Sequence, residues 1–197
     1  MLECTNILVE ERSPHHNLTI AVENEDCVEG LRGSCVKSVI LTYHNNTATL
    51  SILPNLQSVQ ATLNNVTIEP PYEEYGFRFE TTTYTVSLYL PEIRSFVSLS
   101  SSYILVVNLA MEHFFNKTQG QCGVCGVGSC IRKGGQMEDD SCCEKTAYGW
   151  VYENPLIPAC ASPSRSVPCL FPTTVSPPMT TVSTCPASSL CELLDHP

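Results

Sequence analysis

The sequence predicts an all-β protein: an antiparallel β-sandwich with a Cys/Gly-rich C-terminal part stapled by disulfides, followed by a Pro/Ser/Thr-rich linker. Short segments rich in β-branched residues recur along residues 1–120, and no helical periodicity separates them. Hydrophobic residues make up 43% of the chain and charged residues only 15%, so the chain can bury a core. The 12 cysteines indicate an oxidising, secretory compartment, where disulfides add to the stability of the fold.

The predicted strands are recognised by composition and by alternation. In residues 83–90 the even positions are Tyr, Val, Leu and Leu, and the odd positions are Thr, Thr, Ser and Tyr. This strict alternation is typical of a strand with one buried face, so we expect Tyr84 and Val86 to point to the same side. The other predicted strands span 6–10, 18–22, 37–43, 94–99 and 103–109.

Composition divides the chain into three parts. The folded domain is predicted over 1–160; from residue 119 it is rich in Cys and Gly, with a short helix near 144–152 that turns Trp150 inward. Residues 161–184 are almost entirely Pro, Ser, Thr and Val, which is typical of an extended linker suited to O-glycosylation. Residues 185–197 show helical apolar spacing and begin a further module.

Charge and hydropathy exclude two classes of partner. Lys and Arg number 10 and Asp and Glu number 20, which gives a net charge of −10 and argues against a nucleic-acid partner. No apolar run reaches the roughly 18 residues that a membrane span needs. The residues after Met1 lack the features of a signal peptide, so we expect an internal piece of a longer secreted protein.

Four Asn-x-Thr triplets, none interrupted by Pro, predict a glycosylated surface, because such triplets accept N-linked glycans in secreted proteins. All four lie in turn-like stretches. The predicted acceptors are Asn17, Asn45, Asn65 and Asn116.

The most specific string is Cys122-Gly-Val-Cys125, flanked by Gly120 and Gly126. A Cys-x-x-Cys motif can be a redox pair, but that chemistry needs a helix start after a buried parallel strand, and no such pattern surrounds it. As half of a zinc site it would need a second pair from Cys130 with Cys142-Cys143, whose spacing is unusual for zinc. Two half-cystines at a crowded end of a sandwich is the favoured interpretation.

The remaining polar residues do not form a recognisable catalytic set. His15-His16 lies in a polar loop where exposed histidines are common, and His113 is expected to pack at a strand end. No Gly-x-Ser-x-Gly elbow and no phosphate-binding loop is present, so we predict no enzymatic activity and no catalytic residues. The acidic run Glu138-Asp139-Asp140 is interpreted as a solvated turn, with a calcium corner as the alternative.

With these residues in view, the chain resembles the von Willebrand factor type D domain, and more narrowly the fourth D assembly of secreted gel-forming mucins. The resemblance covers residues 1–160, and residues 185–197 resemble the truncated start of an eight-cysteine module. The strings that carry it are 3–11, Tyr75-Gly76, Leu90-Pro91-Glu92, 115–125, and Trp150 with Pro158-Ala159-Cys160.

The resemblance implies a disulfide scheme. It pairs Cys27 with Cys35, and Cys4 with Cys160. It leaves Cys125 without a partner in this sequence, because in the family the second cysteine of the Cys-x-x-Cys pairs upstream of the first strand. Two bonds are then expected among four cysteines in an unassigned connectivity: Cys122, Cys130, Cys142 and Cys143. The partners of the three cysteines beyond the domain stay open: Cys169, Cys185 and Cys191.

Two features of the family are not expected here. Its members open with a Gly-Asp-Pro-His-like stretch and a first strand, and this chain begins after both, so Asp-Pro cleavage is not carried over. The loop after the Cys-x-x-Cys is usually rich in Asn and Asp and helps to bind calcium. Here residues 126–133 are apolar and basic, so we expect no cofactor and no metal ligands, with calcium left open as an alternative.

The leading functional hypothesis is a non-enzymatic structural and interaction module of a secreted, mucin-like glycoprotein, acting as a spacer in a disulfide-linked polymer or matrix. The expected partners are other copies or modules of the parent glycoprotein and extracellular proteins. The alternative is an extracellular binding domain that recognises a protein ligand through a sheet face. A Cys-x-x-Cys metal or redox protein is the third hypothesis.

Overall fold

The computed structural model describes residues 4–27, 34–128, 130–139 and 142–152. Two antiparallel sheets pack face to face around one apolar core, which confirms the predicted all-β sandwich. The described strands are β1 (Thr5–Glu11), β2 (Thr19–Asp26), β3 (Ser34–Tyr43), β4 (Asn46–Leu53), β5 (Ser58–Leu63), β6 (Val66–Ile68), β7 (Tyr72–Glu74), β8 (Phe77–Thr81), β9 (Thr85–Leu90), β10 (Ser95–Ser100), β11 (Leu105–Asn108), β12 (Thr118–Gln119), β13 (Cys130–Ile131) and β14 (Met137–Glu138). The described helices are α1 (Met111–Phe114) and α2 (Cys143–Ala147).

The larger sheet has the strand order β12-β1-β2-β3-β4-β5-β6, and the smaller has the order β11-β10-β9-β8-β7. Most neighbours are therefore consecutive in the chain, as expected for hairpins. The exception is β12, which returns from far along the chain to pair with the end of β1, Glu10 opposite Gln119. This return places the Cys-x-x-Cys segment beside the first described strand.

The core lies between the two sheets, and β4 and β5 of the larger sheet approach β9 and β10 of the smaller one. Val86, Leu88 and Leu90 of β9 are all buried, which confirms the predicted alternation. The placement of Tyr84 on the same face is wrong, since its side chain is 61% exposed. The strand begins only at Thr85, so Tyr84 lies in the preceding turn and does not follow the pleat of the sheet.

The cysteine-rich end packs as a separate small cluster. Strands β13 and β14 form a two-stranded hairpin, and α2 continues into a 3₁₀ turn at Tyr148–Trp150. Trp150 is fully buried with Ile7, Val124 and Ile131, and its indole Nε1 donates a hydrogen bond to the carbonyl of Ile131 at 2.8 Å. The predicted short helix with an inward Trp150 is confirmed, although it begins one residue earlier.

Several predictions fall on residues outside the described part. They are the linker over 161–184, the module start over 185–197, and the cysteines Cys160, Cys169, Cys185 and Cys191. No helix in the described ranges is long and apolar enough to cross a membrane.

Candidate functional site: the acceptor turns and the cysteine-rich end

All four predicted acceptor asparagines are exposed to solvent. Asn17, Asn65 and Asn116 have positive φ values of 52°, 66° and 54°, the left-handed conformation that asparagine adopts in tight turns. Asn45 lies in the two-residue turn between β3 and β4, next to the pair formed by Tyr43 and Asn46. Each amide is thus at a position where a glycan can extend into solvent, and its occupancy stays a prediction.

The threonines of these triplets differ in solvent exposure, whereas the four asparagines are all exposed. Thr67 is exposed on β6, whereas Thr118 on β12 is buried with 2% of its surface accessible. The Thr118 hydroxyl donates to the carbonyl of Gly123 at 3.2 Å and accepts the amide of Cys125 at 2.8 Å. The triplet of Asn116 is therefore built into the turn that carries the Cys-x-x-Cys, which the sequence did not indicate.

The Cys-x-x-Cys segment is bound to the outer edge of β1. The amides of Gln121 and Cys122 donate to the carbonyls of Ile7 and Leu8, each at 3.0 Å. Gly120 has a φ of 127°, and a Cβ there would collide with the backbone of Leu8, so only glycine allows this close approach. Within the described residues the motif lies in consecutive turns rather than at a helix start, which argues against a thioredoxin-like redox pair.

Two complete disulfides lie within the described residues. Cys27 and Cys35, the pair that the resemblance implies, are bonded at a Cα separation of 5.0 Å. Cys130 and Cys143 are bonded at a Cα separation of 5.3 Å and join β13 to α2. Cys4 and Cys142 are also half-cystines. The implied pairing of Cys4 with Cys160 lies outside the described residues.

Near the Cys-x-x-Cys, the Sγ of Cys125 lies 3.7 Å from the Sδ of Met111. The absence of an intrachain partner for Cys125 stays an expectation from the resemblance. The participation of Cys122 in one of the two bonds expected among four cysteines also stays a prediction.

A group of histidines that the sequence did not bring together meets at one end of the sandwich. We call His16, His44 and His113 the histidine cluster. The ring centroid of His16 lies 5.7 Å from that of His113 and 6.2 Å from that of His44. His16 is half-buried, with only 20% of its side chain exposed, so its assignment to an exposed loop is wrong. The reason is that β3 and α1, distant in sequence, pack against the loop after β1.

Buried and exposed carboxylates surround this cluster. Glu11 on β1 accepts the amide of His16 at 2.9 Å and its ring Nδ1 at 3.2 Å, and its side chain is almost fully buried. The hydroxyl of the fully buried Tyr43 donates to Glu92 at 2.5 Å, which joins β3 of one sheet to the turn after β9 of the other. His44 Nε2 lies 3.6 Å from the same Glu92 oxygen.

The pKa shifts at this end support a structural role for it. Burial and then the hydrogen bond to Glu92 raise the pKa of the Tyr43 hydroxyl, so it stays protonated and acts as a donor at neutral pH. The same hydrogen bond lowers the pKa of Glu92. At neutral pH the Tyr43 hydroxyl is therefore the donor and the Glu92 carboxylate the acceptor of a hydrogen bond that connects the two sheets. No group of three or more His, Cys, Asp or Glu side chains in the described ranges is arranged to hold a metal ion.

Of the acidic run at 138–140, Glu138 is not solvated as the sequence suggests, Asp139 is, and Asp140 lies outside the described residues. Glu138 is largely buried and forms an ion pair with Arg132 across the β13–β14 hairpin. Asp139 is exposed, and its carbonyl accepts the amide of Cys142 at 2.8 Å. Glu138 therefore has a cationic partner from the chain itself, which sequence proximity alone could not show.

The architecture defines a class: an antiparallel sandwich with a disulfide-bonded end wrapped onto its first described strand. Comparison with known proteins gives the family. Residues 1–127 match the model of the von Willebrand factor type D domain, and the chain belongs to that family. The chain is also 29% identical over 180 residues to Mucin-5AC of Homo sapiens, an alignment that covers 87% of this chain. The chain spans about 3% of the length of that relative. The expected family and the likeness to mucins are confirmed.

Proposed function

We propose that the chain is a non-enzymatic structural and interaction module of a secreted, mucin-like glycoprotein, and that it serves as a spacer in a disulfide-linked extracellular polymer or matrix. The observation that carries the proposal is the placement of all four Asn-x-Thr asparagines at exposed turns of a disulfide-bonded sandwich. Membership of the von Willebrand factor type D family and the likeness to a mucin support it.

Two ties within the fold support the proposed spacer role. The Tyr43–Glu92 hydrogen bond ties one sheet to the other, and the Cys130–Cys143 disulfide ties the hairpin of the cysteine-rich end to its helix. Covalent and hydrogen-bonded ties of this kind resist local opening, which is what a folded unit within a load-bearing chain needs.

The test is expression of the full chain behind a heterologous secretion signal in mammalian cells, as two copies with different tags. We expect glycosylated protein in the medium, with Cys27–Cys35 and Cys130–Cys143 found by non-reducing peptide mapping. In a polymer, one tag should co-purify with the other and separate only after reduction. Secretion without any interchain disulfide would contradict the polymer role, and intracellular retention with free thiols would contradict secretion itself.

A second function, protein recognition through a sheet face, is favoured by one observation. On the outer face of the smaller sheet the Arg78 guanidinium lies 5.0 Å from the centre of the Tyr89 ring, and Tyr89 lies 5.6 Å from Phe96. Arg and Tyr dominate binding hot spots. If this face binds a partner, Tyr89→Ser should abolish the binding of any identified ligand while Tyr84→Ser, in an exposed turn outside the face, retains it.

A further inference from the structure

An exposed tyrosine and several carboxylates lie together at one edge of the smaller sheet, in residues 69–80, which we call the acidic hairpin. Strand β7 is the edge strand of that sheet, and Tyr75 and Gly76 form the turn that joins it to β8. We infer that a sulfotransferase of the secretory pathway converts Tyr75 into its sulfate ester. The inference rests on the secretion that the proposed function requires, whereas the choice of this tyrosine rests on the structure.

The Tyr75 hydroxyl is available to an enzyme. The residue is 55% exposed, and its hydroxyl forms no hydrogen bond with any residue that the structure describes. Tyr75 and Gly76 have φ values of 51° and 82°, the pair of left-handed residues that a type I′ turn requires, so the tyrosine lies at the tip of the hairpin. Tyr72 differs, because it is half-buried and its hydroxyl donates to Glu74 at 2.5 Å.

The acidic hairpin has negative charge without a cationic partner. Every residue of it lies in the described part of the chain, and three exposed glutamates precede the tyrosine: Glu69, Glu73 and Glu74. None of the three forms an ion pair with a described residue. The single cationic side chain of the segment, Arg78, pairs instead with Glu80 at 3.2 Å. The charge immediately before Tyr75 is therefore uncompensated.

This charge pattern fits the enzyme that transfers sulfate to tyrosine. The sulfuryl donor, phosphoadenosine phosphosulfate, is a polyanion, so a transferase that binds it needs cationic side chains around its active site. An acceptor segment with negative charge next to the phenol complements that surface, which speeds association and favours the correct acceptor. The acidic hairpin supplies both the phenol and the charge.

The transfer is a simple substitution at sulfur. The phenol oxygen of Tyr75 bonds to the sulfur of the donor, and the bond between that sulfur and the phosphate oxygen breaks. The phenolic proton passes to a base of the transferase, and adenosine bisphosphate leaves. No atom is oxidised or reduced.

The position of β7 at the sheet edge helps an enzyme to hold the segment. Only three residue pairs join β7 to β8, and the other side of β7 has no neighbouring strand in the sheet. An open strand edge can pair with a strand of a binding protein, and an element with so few pairs can separate locally at small cost. Either route brings the tip of the hairpin into a cleft.

The first experiment expresses the full chain behind a heterologous secretion signal in mammalian cells and maps residues 69–80 by mass spectrometry. We expect a sulfate ester on Tyr75 that resists alkaline phosphatase. It should be absent when the cells are grown with chlorate, which blocks synthesis of the sulfuryl donor. A group that phosphatase removes would be a phosphate and would overturn the inference.

Tyrosine variants test the choice of residue. Tyr75→Phe should abolish the sulfate of the acidic hairpin, and Tyr72→Phe should retain it. Tyr84 is the matched internal control, because it is 61% exposed but residues 81–89 contain no acidic side chain. It should stay unmodified, and sulfation of Tyr84 equal to that of Tyr75 would contradict selection by charge.

The second experiment uses chain purified from chlorate-treated cells, with purified protein-tyrosine sulfotransferase and the sulfuryl donor. Glu73→Gln should lower the initial rate of transfer about tenfold, the effect of losing one charge-assisted contact with the enzyme. Glu112→Gln, which removes a half-exposed carboxylate from α1, should leave the rate unchanged. Thermal unfolding checks that each variant is folded.

A secreted chain with unmodified Tyr75, or equal rates for Glu73→Gln and Glu112→Gln, would overturn the inference and leave the spacer role untouched. Retention of the chain inside the cells would contradict the proposed function instead. The rate with purified enzyme would still decide whether Tyr75 is the acceptor.

Discussion

Glu11 is a carboxylate buried at the end of β1, and a small set of hydrogen-bond donors stabilises its negative charge. Burial raises its pKa, but hydrogen bonds from the amide and ring of His16 and from the backbone of Leu18 outweigh burial, so its pKa lies below the ordinary 4.5. A carboxyl group with a lowered folded-state pKa adds stability above its unfolded pKa. That contribution is lost as the pH falls through the folded-state value.

Replacing Glu11 by Gln should therefore lower the free energy of unfolding by about 1 to 3 kcal/mol at neutral pH, because the donors of His16 lose a charged acceptor. The variant should also lose less stability than the original chain between about pH 5 and pH 3, since the titrating group is gone. Denaturant unfolding at several pH values measures both effects.

Glu112→Gln is the matched control, because Glu112 is a half-exposed carboxylate that pairs with Arg94 and His113 at the surface. Surface ion pairs contribute little, so its free energy of unfolding should change by less than about 0.5 kcal/mol. A Glu11→Gln variant as stable as this control at every pH would show that the His16 contacts are not energetically important.

At the level of elements, hairpin turns set the register of the larger sheet. Asn64 and Asn65 connect β5 to β6 with φ values of 50° and 66°, the pair of left-handed residues that a type I′ turn requires. The side chain of Asn64 also reaches the neighbouring turn, where it accepts the amide of Thr47 and donates to Asn46, each at 3.0 Å. One residue thus holds two adjacent hairpins together.

Asn64→Gly keeps the conformation that the turn needs and removes only these side-chain hydrogen bonds. We expect it to lower the free energy of unfolding by about 0.5 to 2 kcal/mol. Asn65→Gly, at the next position, should be neutral or slightly stabilising, because glycine adopts positive φ without strain. Thermal unfolding of deglycosylated protein compares the two, and equal stability of both variants would contradict the bridging role of Asn64.

The elements that could be predicted are those whose burial shows in local alternation. Strand β9 has a β-branched or large apolar residue at every second position, and β1, β2, β3, β10 and β11 are similarly apolar. Strands β4 to β8 were not predicted, although two of them show the same alternation. Ala48, Leu50 and Ile52 of β4 are buried at every second position between Thr and Ser, and Phe77 and Phe79 of β8 are buried at alternate positions. Strands β6 and β7 have only three residues each, which is too short for an alternation to stand out.

The side-chain clusters could not be predicted for a related reason. His16 and His113 are almost a hundred positions apart in the sequence, and they meet only because α1 follows β11 at the same end of the sandwich as the loop after β1. The packing of β13 against α2 likewise depends on the Cys130–Cys143 disulfide, whose connectivity the cysteine count left open. Contacts between residues that are far apart in the chain cannot be predicted from local sequence. Exposed turns such as those at the acceptor asparagines can, because they depend on neighbouring residues.

At the scale of the whole molecule, the return of the chain to β1 couples modification to folding. The Asn116 triplet and the Cys-x-x-Cys share one turn: the amide of Asn116 donates to the carbonyl of Cys125 at 2.9 Å, and the Thr118 hydroxyl bonds to both Gly123 and Cys125. The transferase that attaches the glycan recognises the threonine hydroxyl together with the asparagine. In the folded chain that hydroxyl is buried, so the transferase has to act before β12 pairs with β1.

We therefore expect Asn116 to be less occupied by glycan than Asn65, whose Thr67 stays exposed after folding. Delaying disulfide formation with dithiothreitol in the cells should raise occupancy at Asn116 and leave Asn65 unchanged, because the reduced chain keeps the turn open for longer. Glycosidase treatment in heavy-oxygen water followed by peptide mapping measures each site separately. Gly120→Ala, which places a Cβ against the backbone of Leu8 and hinders closure of the turn, should raise Asn116 occupancy without any reductant. Occupancy at Asn116 that equals that at Asn65 and responds to neither treatment would show that glycan transfer does not compete with folding at this turn.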